Sequence, residues 1–567
     1  MSDDNDEDDD GEDDEDDDDD DGDGGEDGED DGDDEDDDNA DDDEDDEDDG
    51  GDDNADDDDD EDDEDADNDG DDEDDEDGDD DEDNTDDEDD EDAQPFHLQQ
   101  YLATASAAVG SLALGATLSF SSPALATLRG QRAHDWHCVV PGHPELSDMQ
   151  LATFSSSVNI GALIGSLSGG YLMNKWGRRG TMLFSAVPFV LGWGLIGFGP
   201  VFLLLLCGRI LTGVGCGLVS IAVPTYVGEI ASPEIKGFLG SWFEVTLVAG
   251  GLYVLSLGSV MCWNSLAFVS LVPALVFVAL MLLQKESPTF LLLKGRRQDA
   301  KKSLQHFRGD KYDITDELVA LRRSAEEAKV SHVTWTDMTA RPVLTPLIIT
   351  LGLMFFQQYS GISAVFFNLF TILESAQVEM SEDASIMFIS GMQVLATAAG
   401  GLLMDRLGRK TLLLASSVVM ATALFGIGTY FQRLEQARDV TFLWWLPLAS
   451  LVVYVIFFSI GFGPVPCVML GEVFPLEVRE AAASVATVSL WLHSFTTTLI
   501  FRPLRNSIGD SGVYFGCGGV CLVGFLFSLF VVRETKGKPM QEITDMFSEK
   551  KPPMLKMRKP QIKRQVI

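Results

Sequence analysis

The chain has 567 residues and a formal net charge of −64, yet the charge sits almost wholly at one end. Residues 1 to 92 carry 71 of the 101 acidic residues and no Lys or Arg, so the rest holds 30 acids against 37 bases, a net of +7. That remainder is mildly basic and strongly apolar, which excludes an ordinary acidic soluble protein and fits a chain embedded in a bilayer with anionic lipid on one side.

Residues 1–93 are mainly Asp, Glu, Gly and Asn at low complexity. Such a segment cannot bury enough apolar area to offset its ordering entropy, and its charges repel one another, so a disordered cytoplasmic tail is expected. No basic region precedes the first apolar stretch, and no secretory signal is expected. From Gln94 the chain reads as apolar stretches of roughly 20 residues, the length that crosses hydrocarbon as helix. They fall near 101–123, 151–173, 181–199, 201–223, 239–259, 263–283, 343–372, 384–404, 411–431, 443–470, 481–502 and 512–532. The expected fold is an all-α membrane protein of twelve transmembrane helices. Two six-helix halves, 94–283 and 343–533, flank linker helices at 284–342, and a basic tail covers 534–567. Within the linker, Leu318, Leu321 and Ala325 lie on one stripe.

Basic residues cluster after the even-numbered spans and in the linker: Lys175, Arg178 and Arg179; Lys236; Arg406, Arg409 and Lys410; Arg479; and the end from Arg533 to Arg564. This bias places both termini in the cytoplasm, consistent with an even number of crossings of a cell membrane. Seven cysteines give no disulfide framework; Cys138 alone lies clearly in an outer loop and has no evident partner. No metal spacing, nucleotide loop or catalytic triad is present, so no cofactor, no nucleic-acid partner and no enzymatic activity are expected.

A duplication carries most of the functional information. Asn174-Lys-Trp-Gly-Arg178-Arg179 lies between two apolar stretches, and Asp405-Arg-Leu-Gly-Arg409-Lys410 lies between two more. Each follows a Gly-Gly-x-Leu pattern, at Gly169-Gly170 and Gly400-Gly401. Repeated helical halves in a bilayer place a cavity at their seam, which points to a carrier of small molecules among lipid.

Further motifs follow in order: Arg209-Ile-Leu-Thr-Gly213-Val-Gly215-Cys-Gly217, Pro224-Thr-Tyr226-Val-Gly-Glu229, Glu286-Ser287-Pro288, Gln357-Gln358-Tyr-Ser-Gly361, Gly461-Phe-Gly463-Pro464-Val-Pro466, Glu472-Val-Phe-Pro475 and Glu534-Thr535-Lys536-Gly537. On these residues the chain resembles the sugar porter branch of the major facilitator superfamily over about 98–545. Within it, Ser122-Pro123-Ala124 and Gln393-Val394 resemble the arthropod-type facilitated trehalose transporters.

The resemblance implies a transmembrane carrier of a small sugar, of the trehalose or hexose class, working by alternating access. Gln357, Gln358 and Gln393 are amides that would be costly against lipid and are expected at the seam, with Trp491 as the aromatic platform. Phe366 and Phe367 occupy the place of an outer aromatic pair. At cavity positions, Ser363, Cys467 and Leu490 stand where the family usually has Asn, Trp and Asn, and Glu244 replaces a Gln in span five; Ser363 and Glu244 join the candidate substrate-binding residues. Each departure alters a polar contact, so the family's substrate does not carry over automatically. Arg178, Arg179, Glu229 and Lys236, with Arg409, Lys410, Glu472 and Arg479, form a candidate charge clamp between the halves; plain topogenic anchoring would use the same bases.

Span one contains no acid, with Thr117 at the place where proton-coupled relatives carry a carboxylate, which favours uniport. Glu244 leaves two alternatives: a static counter-ion to Arg209, or a titrating group that makes the protein a proton-coupled symporter. A sensor that binds solute without useful flux is a third reading.

Overall fold

A computed structural model of the chain describes residues 97–128, 146–199, 201–330, 341–376, 381–474, 476–536, 538 and 540–547. The expected acidic tail, Cys138, most of the basic tail and the side chain of Arg479 lie outside the described residues. The described chain is helical: α1 (Leu98–Ser119), α2 (Ser121–Leu128), α3 (Asp148–Phe184), α4 (Ala186–Phe198), α5 (Phe202–Ile230), α6 (Lys236–Gly258), α7 (Trp263–Leu282), α8 (Pro288–Leu293), α9 (Arg297–Arg308) and α10 (Thr315–Val330). There follow α11 (Arg341–Tyr359), α12 (Ile362–Phe367), α13 (Leu369–Ser375), α14 (Glu382–Leu407), α15 (Arg409–Glu435), α16 (Leu446–Phe457), α17 (Pro464–Val473), α18 (Leu476–Phe530) and α19 (Met540–Phe547).

Among the described residues, ten helical segments are long and apolar enough to cross a bilayer. Two of them, Asp148–Phe198 and Ala481–Phe530, run to 51 and 50 residues. At about 1.5 Å per residue each would be more than twice the ~30 Å of hydrocarbon in a bilayer. Each is broken at a glycine with positive φ, Gly177 (φ 89°) and Gly509 (φ 77°). Large apolar side chains face outward around the bundle, among them Tyr171, Leu203, Leu402 and Phe530. In water that surface would drive aggregation; in lipid it is the required exterior.

Two cores form, one per half, and they trade residues at the seam. Trp491 of α18 packs into the first-half core, while Ala126 and Leu255 of the first half pack into the second. Phe367 is buried in the second core with Phe366 against it. A third small core joins Phe290, Leu291, Leu292 and Ala300 of α8 and α9 to Ala325 of α10, with Leu318 and Leu321 beside them. Arg308 fixes these linker helices to the first half: it donates to the carbonyl of Ile230 at 2.7 Å and pairs with Glu317.

Helix breaks trace to particular residues. Pro123 has no N–H and its ring opposes the carbonyl four residues back, so α1 ends at Ser119 and the chain restarts as α2. Between α16 and α17 lies one π-turn, Phe458–Phe462, closed by the Gly463 N–H on the Phe458 carbonyl at 2.8 Å, with Pro464 and Pro466 after it. The glycines of α5 permit close approach instead: a Cβ on Gly213 would collide with the Val158 carbonyl, and one on Gly217 with that of Ala162. Helices α3 and α5 therefore pack backbone to backbone.

The cysteine expectation is corrected. Cys262, just before α7, is disulfide-bonded. Cys207, Cys216, Cys467, Cys517 and Cys521 are free.

Candidate functional site: the seam and its charged turns

At one end of the bundle, here the basic end, the two repeated turns adopt one conformation. Gly177 has φ 89° and ψ 174°, and Gly408 has φ 88° and ψ 160°. Only glycine enters that region without strain. Each turn starts a helix whose first N–H groups need acceptors, and a carboxylate from the end of its own half supplies them. Arg178 and Arg179 donate backbone N–H groups to Glu286 Oε1, both at 3.0 Å. Arg409 and Lys410 donate theirs to Glu534, both at 3.0 Å. A second carboxylate holds the arginine: Arg178 pairs with Glu229 at 2.7 Å, and Arg409 with Glu472 at 2.7 Å. A hydroxyl completes each cluster, Ser287 on Glu229 and Thr535 on Glu472.

This arrangement differs from a clamp across the halves. Both ion pairs lie within their own half. Arg179 and Lys410 donate to carbonyls at helix ends, Arg179 to Met281 and Leu282 and Lys410 to Leu529, where a cation complements the helix dipole. Lys236 lines a cavity of about 330 Å³ between the halves, with Thr104, Pro224, Phe243 and Cys467. That cavity lies towards the basic end.

At the far end the halves meet. Phe370 N–H donates to Ser122 Oγ at 3.1 Å, and Arg502 pairs with Asp148 at 3.4 Å. Deeper in the seam, Ser363 Oγ donates to Gln358 Oε1 at 2.7 Å, Ser494 lies 3.1 Å from Ser363, and Ser494 Oγ donates to Asn159 Oδ1 at 3.0 Å. This polar chain runs from α11 through α12 and α18 to α3 of the other half. Gln357 reaches α17 instead. Its Nε2 donates to the carbonyls of Phe462 and Gly463 at 2.9 and 2.8 Å. Pro466 has no N–H for the Phe462 carbonyl, and Gln357 supplies the missing donor. Its Oε1 is buried without a partner among the described residues, as are Trp491 Nε1 and Asn159 Nδ2. Gln393 is half-buried on α14.

The comparisons with known proteins agree with this architecture. The sequence model of the family described as "Sugar (and other) transporter" matches residues 94–547. The chain belongs to the sugar transporter family. Facilitated trehalose transporter Tret1 of Anopheles gambiae is 36% identical over 446 residues, 78% of this chain and 55% of that protein. The Culex quinquefasciatus protein of the same name is also 36% identical, over 78% of this chain and 85% of its own length. The chain thus spans about half the length of some of these relatives and most of others. A solved structure, a partially occluded inward-open conformation of the xylose transporter XylE from E. coli, superposes with a TM-score of 0.65 at 24% identity, covering 78% of this chain and 99% of that one.

For a sugar transporter family member, the charged residues inside the bundle are arranged unexpectedly. Arg209 does not pair with Glu244. It is fully buried and turned toward the break in span one, donating to the Thr117 carbonyl at 2.9 Å and Ser121 Oγ at 2.6 Å. Phe120 and Phe154 cover it, at 5.6 and 5.3 Å from ring centroid to guanidinium carbon. The carbonyl that Arg209 takes lies in the last turn of α1, just ahead of that break. No cationic group among the described residues acts on Glu244, which lies near Cys467 of the opposite half.

Sequence reasoning did not single out Glu286 and Glu534 as site residues, nor Asn159 and Ser494. A signal for the first pair was present, since Glu-Ser and Glu-Thr stand at corresponding places after the last helix of each half. Asn159 announced itself less clearly, as the one amide within the apolar stretch 151–173.

Proposed function

We propose that this protein carries a neutral sugar, of the trehalose or hexose class, across a cell membrane by alternating access and without proton coupling. Its two overlong segments each cross twice, bending at Gly177 and Gly509, which gives twelve crossings. The basic end is cytoplasmic, α8–α10 lie on that side, and the far end, with its disulfide at Cys262, faces the oxidising exterior. The clusters at Gly177 and Gly408 brace each half as a rigid body while the seam opens and closes around Gln357, Gln358, Ser363, Gln393 and Trp491.

One observation carries the reading. Gln357 Oε1, an acceptor, and Trp491 Nε1, a donor, are both buried and have no hydrogen-bond partner among the described residues. Sugar hydroxyls donate and accept, so a polyhydroxyl solute satisfies both, whereas a simple ion satisfies one kind. The test is uptake of radiolabelled trehalose, glucose, fructose and polyols by cells expressing the chain. Gln357→Ala is expected to lower uptake efficiency at least about tenfold, the equivalent of one hydrogen bond lost together with disturbance of α17. Undiminished uptake in that variant would remove Gln357 from the site.

A second reading, proton symport, is favoured by one fact: Glu244 has no cationic partner among the described residues, and Arg209 bonds elsewhere, which weighs against the static counter-ion role. Uptake as a function of pH in Glu244→Gln separates the two. Uniport predicts the same pH profile as the unmodified chain, and symport predicts a flattened one.

A further inference from the structure

The neutral groups proposed above to bind the sugar, Gln357, Gln358, Ser363, Gln393 and Trp491, all belong to the second half. A ligand held by one half alone binds equally well whether the halves are together or apart, and a ligand without differential affinity shifts no conformational equilibrium. Sugar-driven closure therefore needs a polar group contributed by the first half.

We infer that Asn159 is that group: it grips a hydroxyl of the sugar from the first half and sets specificity at that position. This rests on the sugar-carrier reading above. Asn159 is completely buried on α3. Its Oδ1 accepts from Ser494, and its Nδ2 has no partner among the described residues. Exchanging the amide nitrogen and oxygen still leaves one buried polar atom unpaired, since Ser494 engages a single atom of the amide. Such an atom is costly, and its presence calls for a ligand group.

The surroundings match a polyhydroxyl solute. From Asn159 the bonds lead through Ser494 and Ser363 to Gln358, so the first-half amide is wired to the second-half pair. Trp491 lies one helical turn from Ser494 on α18, is buried in the first-half core, and carries its own unpaired Nε1. The groups named are amides, hydroxyls and an indole, with no formal charge. Close packing between α3 and α5 does not require an amide here, because Gly161 and Gly165 make that approach.

The experiment uses the full chain in cells, with surface expression measured. Concentration-dependent uptake is recorded for the transported sugar and for its monodeoxy analogues, each lacking one hydroxyl. In the unmodified chain, one analogue is expected to show a KM about tenfold above the parent sugar. In Asn159→Ala the parent KM rises about tenfold while that analogue's stays unchanged, so discrimination at that hydroxyl disappears and discrimination at the others survives. If Asn159→Ala fails to reach the membrane, Asn159→Ser is read the same way, and it should weaken the same hydroxyl's discrimination. A uniform loss for parent and every analogue, or no change at all, overturns the inference and leaves Asn159 a packing residue. An unmodified chain that moves none of the sugars overturns the carrier reading itself, and this inference with it.

Discussion

The charged turns of the two halves are built to one plan but differ in how dry they are. Around Gly177 the paired side chains of Arg178 and Glu229 are 5% and 16% exposed; around Gly408 those of Arg409 and Glu472 are 12% and 26% exposed. Backbone angles, the N–H groups held by a carboxylate and the added hydroxyl are common to both. A third turn at the far end repeats part of the plan. Gly509 has φ 77° and ψ 168°, and the Ser511 N–H is held by Glu435 at 3.1 Å, but Arg505 there pairs with Asp510 of its own turn. The turn is thus a reusable backbone device, while the strength of its electrostatics depends on what packs over it.

The strongest test of that comparison is at the glycines. A Cβ on Gly177 would collide with Glu286 and come 2.9 Å from Phe290, whereas one on Gly408 would come 2.7 Å from Glu534. Gly177→Ala should cost about 3 kcal/mol or more, since left-handed strain and a displaced carboxylate add, and Gly408→Ala somewhat less. Thermal unfolding in detergent reads the order; a larger loss at Gly408 would break it.

Next come the arginines. Removing one partner of a buried pair strands the other charge, so Arg178→Ala should cost about 3–4 kcal/mol, and Arg409→Ala, with its wetter partner, about 2 kcal/mol. Lysine at either place should recover only part of the loss, because it lacks the planar fork that meets Glu229 and Glu472 with two nitrogens. Equal costs for the two alanine variants would show that exposure does not set their worth.

The smallest effect concerns the linker, which belongs to the first-half end. His306 is held below the ordinary histidine range, first by burial and then by the charge of Lys285. The folded state binds that proton less readily than the unfolded chain does. Stability from this site is therefore full above about pH 6.5 and declines as pH falls through the lowered folded value. A drop of less than about 1 kcal/mol between pH 7 and pH 5, absent in His306→Gln, is expected by thermal unfolding.

Much of the fold was legible because a bilayer is a demanding solvent. Apolar stretches of fixed length, basic turns between them and a repeated motif leave few arrangements, and each predicted span overlaps an observed helix, several running one or two residues past its end. The site was legible in part. Gln357 and Gln358 could be found as amides in apolar helices, but no spacing announced that Pro466 would claim one end of Gln357. Arg209 and Glu244 could be found as charges within spans, yet their separation depends on which way each helix face turns. The charged turns were legible in the same incomplete way: opposite charges near helix ends were visible, whereas the pairing of Arg178 with Glu229 and of Arg409 with Glu472, each inside one half, was not.

By itself the sequence determined that the chain is a membrane-embedded helical bundle with a repeated charged turn, because hydrophobic length, charge placement and local glycine chemistry act over a few neighbouring residues. Tertiary structure alone decided which carboxylate meets which backbone, where Arg209 finds its carbonyl, and that Asn159 reaches Ser494 across the seam. Those contacts join residues as many as 335 positions apart, and only the packed orientation of the helices brings them within bonding distance.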